Sequence, residues 1–195
     1  DFGKEIIPQS LKNYKVSSFQ YEGYWTDIGN IYSFYEANLG LTQDIPDFNL
    51  FDNNRAIYTR ARMLPPAKIS GTTLEKTLIA EGCIVNASRV ENSVIGIRSR
   101  IGYGTTIVST YMMGNDYYET LAEMQHSKDH GIPNVGIGQR CYIRNAIVDK
   151  NVRIGDDVRI NGGNHLENND HSLYTVKEGI VVIKKGAVVP NGFVI

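Results

Sequence analysis

The stretch Tyr-Glu-Gly-Tyr-Trp-Thr-Asp-Ile-Gly-Asn, residues 21–30, holds the chain's one tryptophan, Trp25, and an aspartate, Asp27. Asp27 stands just ahead of Ile28, Ile31, Tyr32, Tyr35 and Leu39, a run with helical spacing. Two roles are open to it. An aspartate at a helix start caps a free N–H of the first turn, worth about 1 kcal/mol. One carboxylate plus substrate phosphates is also a common way to hold Mg²⁺. Composition alone does not decide between them.

A second candidate chemistry is basic. Arg60 and Arg62 alternate along Ile57–Arg62, which reads as one extended strand, so they share a face. Lys150 and Arg153 flank one corner of the repeat described below, and Lys184 and Lys185 follow Val-Val-Ile. Singly, each is an ordinary solvated charge. Converged, they make a site for a phosphate or carboxylate dianion. Four histidines, His126, His130, His165 and His171, offer a general base, and His126-x-x-x-His130 is spaced for a metal on one helix face. No acid or cysteine completes either set, so solvated loop histidines are expected. Cys83 and Cys141 lack C-x-x-C spacing and are too few for a disulfide framework or a four-ligand zinc site. Both are expected to be packing residues in a reducing, intracellular setting.

The elements that must position these groups come in three stretches. Residues 1–47 are mixed: an apolar start (Phe2, Ile6, Ile7) that Pro8 ends, a strand signal over Tyr14–Tyr21, then the helical run to Gly40 and Pro46. Residues 48–66, with Asn49, Asp52, Asn53 and Asn54 and the stop Leu64-Pro-Pro, read as a linker. From residue 67 aliphatic residues recur every five or six positions: Ile79, Val85, Val90, Ile95, Ile101, Ile107, Met113, then Ile137, Ile143, Val148, Ile154, Ile160, then Ile183, Val189, Ile195. Neither the helical 3.6 nor the strand 2 explains six; it is the period of a hexapeptide β-helix. Each aliphatic points inward, and four places later a small or modest residue is expected: Cys83, Thr105, Cys141, Val158, Ala187. Gly102, Gly138 and Gly155 follow inward aliphatics, where a tight backbone turn is expected. Residues 114–136 and 161–178 break the period and should leave the coil as loops.

Glycine, 19 of 195 residues, suits a turn-rich β protein. The net charge of −1 gives no global field toward nucleic acid or anionic membrane, and no apolar run approaches the roughly 18 residues of a membrane helix. The chain starts at Asp1 without Met, as expected of a processed or excised segment.

Several stretches together resemble the C-terminal part of glucose-1-phosphate adenylyltransferase (ADP-glucose pyrophosphorylase), closest to the plant and cyanobacterial type. They are Asp-Phe-Gly-Lys-Glu-Ile-Ile-Pro, Gly-Tyr-Trp-Thr-Asp-Ile-Gly, Leu-Pro-Pro-Ala-Lys, Glu-Gly-Cys-Ile-Val, Met-Gly-Asn-Asp-Tyr-Tyr-Glu-Thr, Ile-Val-Asp-Lys-Asn and Gly-Ile-Val-Val-Ile-Lys-Lys. The resemblance spans essentially the whole chain. It implies a mainly β fold: a left-handed parallel β-helix (67–195) for regulation and oligomer contacts, behind a linker (48–66) and the C-terminal remnant of an α/β nucleotidyltransferase domain (1–47). It implies that the full-length parent joins ATP and glucose 1-phosphate into ADP-glucose and pyrophosphate, that this chain alone is inactive, and that the parent is a homo-oligomer, a tetramer in the family. Asp27 takes the position of a Mg²⁺ ligand, with Trp25 positioning that corner. Lys150 and Lys185 take effector-binding positions for a phosphorylated metabolite. Arg60 and Arg62 match two basic linker positions, although a polar uncharged residue is expected at the first, which bears on which effector binds. The implied location is cytoplasmic, or a plastid in a plant. Asp1-Phe-Gly also resembles the kinase metal triplet, but the rest of the kinase signature is absent. Two other readings compete: a hexapeptide acyltransferase dependent on one of the four histidines, and a non-catalytic assembly module. The 1–47 segment is expected to expose an apolar face and to be less ordered than the coil.

Overall fold

The computed structural model describes all 195 residues. Its body is a left-handed parallel β-helix built on three aliphatic columns. One face carries two-residue strands: β1 (Lys68–Ile69), β3 (Ile84–Val85), β5 (Arg100–Ile101), β7 (Gly136–Ile137), β9 (Arg153–Ile154) and β14 (Val188–Val189), all paired in parallel in that order. The other two faces are formed by bent seven-residue strands: β2 (Thr73–Ile79), β4 (Arg89–Ile95), β6 (Thr106–Met112) and β8 (Tyr142–Val148). Shorter strands β10 (Arg159–Asn161) and β13 (Ile180–Ile183) close the last coil on β8.

The pairing register shows why the sequence repeats at five and six. Val85, Ile101, Ile137, Ile154 and Val189 stack in one column. Val90, Ile107, Ile143 and Ile160 stack in the second, and Ile79, Ile95, Met112, Val148 and Ile183 in the third. All but Ile79, at the open first coil, are buried in one core. Each contributes roughly 1.5–3 kcal/mol, but only against a neighbouring coil. Cys83, Thr105, Cys141, Val158 and Ala187 are buried beside the columns, as expected.

The long strands turn a corner at their fourth residue. Lys76, Asn92, Ser109 and Asn145 all sit there with positive φ, 44–48°, a conformation that Asn tolerates best. Side-chain bonds support two of them: Asn92 Nδ2 donates to Ser109 Oγ (3.2 Å) and Asn145 Nδ2 to the Gly162 carbonyl (2.8 Å).

Several expectations are corrected. The third column takes Met112, not Met113, because the step from Ile107 is five. Gly102, Gly138 and Gly155 do not have positive φ. They are needed because adjacent coils approach so closely that a Cβ on Gly102 would lie 2.4 Å from the Gly138 carbonyl oxygen. The 114–136 break is not all loop: it holds helix α3 (Leu121–Asp129), started by a reciprocal Thr120–Glu123 capping box. The 161–178 break holds β11 (Asn169–Asp170) and β12 (Tyr174–Lys177), an antiparallel extension of β13. Tyr14–Tyr21 and Ile57–Arg62 form no strand, since no neighbouring strand offers them a ladder. Pro8 does not end the first segment. Phe2–Ile6 winds as a π-helix into α1 (Ile7–Asn13), whose first turn tolerates proline. The 1–47 segment does expose apolar side chains, Phe2, Leu11, Phe19 and Trp25 among them, as expected, while helix α2 (Ile31–Gly40) docks on the coil, as described next. No helix is long and apolar enough to cross a membrane.

Candidate functional site

Asp27 does not cap α2. Asn30 does, its Oδ1 accepting the Ser33 N–H at 2.8 Å. The helix starts three residues later than the apolar spacing implies because Gly29 and Asn30 stay outside it. Asp27 instead closes a local turn: Oδ1 accepts the Gly29 N–H at 2.8 Å. The carboxylate is exposed, and Oδ2 makes no hydrogen bond or ion pair. It can serve as one arm of a hard-cation site that takes its remaining oxygens from water and phosphate. No cluster of three His, Cys, Asp or Glu is assembled to hold a metal. Trp25 is 76% exposed and, with Tyr24, Tyr32, Glu36 and Phe48, lines an open cleft of ≈ 460 Å³ beside this turn.

The helix that follows Asp27 is fastened to the coil. Tyr35 and Leu39 are buried against Ile147 and Ile180, and Phe34 meets Tyr111 edge-on at 5.4 Å. The Tyr35 hydroxyl donates to the Ser109 carbonyl at 2.6 Å, and the Thr42 hydroxyl bonds Asn92 Oδ1 at 2.8 Å. Both partners lie at the strand corners. Burial drives the Tyr35 phenol pKa far above its ordinary value, so it remains a donor.

A basic corner lies where β8 leads into β9. Lys150 Nζ is 2.6 Å from Asp116 Oδ1, and Asn151 Nδ2 donates to Asp116 Oδ2 at 3.0 Å. Asn151 Oδ1 in return accepts the Asp116 N–H at 2.9 Å. The Lys150 hydrogen bond foremost, then Asn151 and the nearby positive charge of Lys185, hold the Asp116 carboxyl below its usual range. Of the two lysines Lys150 alone contacts the carboxylate, and the Gly186 N–H bonds the Lys150 carbonyl at 2.9 Å, setting the turns that carry Lys150 and Lys185 side by side. Lys185 is exposed and has no ion-pair partner.

The other basic residues are placed elsewhere. Arg153 Nη1 lies 2.7 Å from Glu119 Oε1 and donates to the Pro133 carbonyl at 2.7 Å. That pair contact is off the hydrogen-bond axis, leaving Glu119 Oε1 without a hydrogen bond, while its partner oxygen accepts the Val135 N–H at 2.8 Å. The side chain of Glu119 is only 1% exposed, so Arg153 neutralises a buried charge at the base of the α3 insertion. Lys184 pairs with Asp170 at 2.7 Å. Arg60 and Arg62 are exposed and make no ion pair or hydrogen bond.

The remaining candidates lack catalytic geometry. The four histidines are exposed and none meets a carboxylate. His130 Nδ1 contacts the His126 carbonyl, and His171 stacks on Tyr174. Cys83 and Cys141 are buried, their thiols donating to the Gly96 and Gly155 carbonyls at 3.1 Å, and burial pushes both thiols up in pKa.

Residues 62–194 match the model of the GLGC left-handed parallel β-helix domain. The chain belongs to this GLGC β-helix family. Residues 1–44, which include Asp27 and α2, match the nucleotidyl transferase model. In this order the two matches support an ADP-glucose pyrophosphorylase-like protein with a nucleotidyltransferase parent. In the GLGC coil, sequence reasoning singled out Lys150 and Lys185 but passed over Asp116, Asn151 and Glu119. Asp116 and Glu119 lie in the aperiodic insertion, where no repeat fixes a residue's position. The readable signal was Thr-x-x-Glu at 120–123, which marks a helix start and so an ordered insertion.

Proposed function

We propose that this chain is the C-terminal part of a glucose-1-phosphate adenylyltransferase of the plant and cyanobacterial type, and that the fragment alone is inactive. The observation that carries the reading is the junction: the end of a nucleotidyl transferase match, bearing a free carboxylate at Asp27, is bolted through α2 onto a GLGC coil. In the parent, the phosphate of glucose 1-phosphate attacks the α-phosphorus of ATP and pyrophosphate leaves. Bound Mg²⁺ would offset the crowding of negative charge. Asp27 would supply one carboxylate to that ion, its turn through Gly29 fixing the side chain, and Trp25 would wall the cleft beside it. The coil would bind a phosphorylated metabolite at Lys150 and Lys185, with Arg60 and Arg62 of the linker and Arg153 of the coil as further basic groups, and would support a homotetramer in the cytoplasm or a plastid.

Reading the coding sequence ahead of Asp1 tests this first. A Gly-rich phosphate loop and a sugar-phosphate lysine are expected, and a start codon immediately ahead of the Asp1 codon refutes the proposal. In the full-length protein, Asp27→Asn should cut pyrophosphate release from ATP and glucose 1-phosphate by about 10²-fold or more, with fluorescence titration of Mg²⁺ at Trp25 weakened in parallel. Undiminished activity would remove Asp27 from the site.

A further inference from the structure

The basic corner already holds an anion, and it is part of the chain. The Asp116 carboxylate receives the Lys150 ammonium at 2.6 Å and the Asn151 amide at 3.0 Å, and feels the charge of Lys185. These are the donors a phosphate would use. The pair is well exposed, with Lys150 and Asp116 side chains 37% and 46% accessible, so it is a weak, replaceable contact. Asp116 lies at the start of the α3 insertion, two residues past Gly114. Gly114 has φ +83° and is packed so closely that a Cβ would fall 2.3 Å from the Ile97 carbonyl oxygen. On the far side, Glu119 is locked to Arg153 and Val135. Asn115 is fastened too, its N–H to the Ile97 carbonyl at 2.8 Å and its side-chain amide to the Arg98 carbonyl at 3.0 Å, and the Tyr118 hydroxyl donates to the Gly82 carbonyl at 2.9 Å. Asp116 and Tyr117 are therefore a short arm between fixed points, carrying one carboxylate onto Lys150.

We infer that Asp116 is a tethered competitor for the anion at Lys150 and Lys185: a phosphate binds by taking over its donors, and the 116–117 arm is released. The inference rests on the anion-site reading above. It adds that occupancy of the corner and the order of the insertion are mutually exclusive at this arm, which gives the bound anion a structural output. A ligand with two negative charges competes better than one, because it meets both lysines while Asp116 offers a single charge.

The test uses the full chain at constant ionic strength, with inorganic phosphate as probe, chloride as control, and wild type, Asp116→Asn and Lys185→Ala compared by calorimetry and amide spectra. Asp116→Asn keeps the size and the amide-to-amide bonding but removes the charge. It should bind phosphate about three- to fivefold more tightly, the worth of one exposed pair. Lys185→Ala should bind more weakly. In the wild type, phosphate should speed exchange of the Asp116 amide, whose bond to Asn151 breaks, while the Val135 amide stays protected. If the wild type binds phosphate and Lys185→Ala weakens it, yet Asp116→Asn binds no more tightly and the Asp116 amide is unmoved, the competition is refuted and the anion site stands. If phosphate shifts no resonance at Lys150 or Lys185 in any variant, the anion site itself is refuted and the inference falls with it.

Discussion

Replacing Tyr35 by Phe tests whether α2 is a separately docked element. The change deletes one oxygen. The hydroxyl it removes donates at 2.6 Å to the carbonyl of Ser109, a corner residue where the β4–β6–β8 register skips a position. That carbonyl would lose its partner beneath the helix. Leaving a partly buried acceptor unsatisfied costs about 1–2 kcal/mol. The apolar contacts with Leu39, Ile147 and Ile180 remain, so the helix should stay docked but open more often. At about 1.4 kcal/mol per tenfold, the amides of Asn38 and Leu39 should exchange roughly 5- to 30-fold faster in native-state hydrogen exchange. Amides of the coil core such as Ile107 and Ile143 should be unchanged, because the columns do not include Tyr35. Equal acceleration in helix and coil would show that α2 and the coil open as one body. No acceleration at α2 would show that the bond contributes nothing. Either result refutes the reasoning.

Three further outcomes follow from the same structure. Ile107→Ala, in the middle of the second column and fully buried, should lose about 3–4 kcal/mol in urea unfolding, whereas Ile79→Ala at the half-buried first coil should lose about 1 kcal/mol; equal losses would contradict the stacked-column account. Glu119→Gln leaves Arg153 without its counter-charge and should destabilise the insertion by about 1–3 kcal/mol, read as faster tryptic cleavage at Lys128 with unchanged coil stability; an unchanged cleavage rate would refute it. Asp116, Asp157 and Asp170 are each held below the ordinary carboxylate range, chiefly by hydrogen bonds from Lys150, Arg140 and Lys184. Their folded pKa values are depressed, so their contribution is present at neutral pH and is lost as pH falls through those values. Acid should loosen the corners, and salt should shrink the effect; a pH-independent melt would contradict this.

The coil was legible because its columns impose a period that the sequence cannot hide. Val85, Ile101, Ile137 and Ile154 declare themselves by spacing alone, even across a long interruption. Met113 was misassigned because a six-residue step and a five-residue step both land on methionine, and only the strand register separates Met112 from its neighbour. The breaks were legible as breaks but not in content. Helix α3 is short and mostly polar on every side, so hydrophobic spacing is silent there, and only its capping box speaks. The Tyr14–Tyr21 segment shows the reverse failure: β-forming residues without a neighbouring strand stay unpaired and form no strand. At the sites, Lys150 and Lys185 could be named because the family pattern marks them. Asp116 could not, since it reaches Lys150 from 34 residues away through the fold and no local pattern links the two.

Strand β5 pairs directly with β7, placing Ile101 on Ile137, although β6 and the entire α3 insertion lie between them in the chain. The coil closes over the interruption as if it were not there. A segment can therefore be lengthened, shortened or rewritten at this corner without disturbing the columns that carry stability. The inserted segment and the columns that keep the chain folded are thereby separable: one can be rewritten on an unaltered frame of the other.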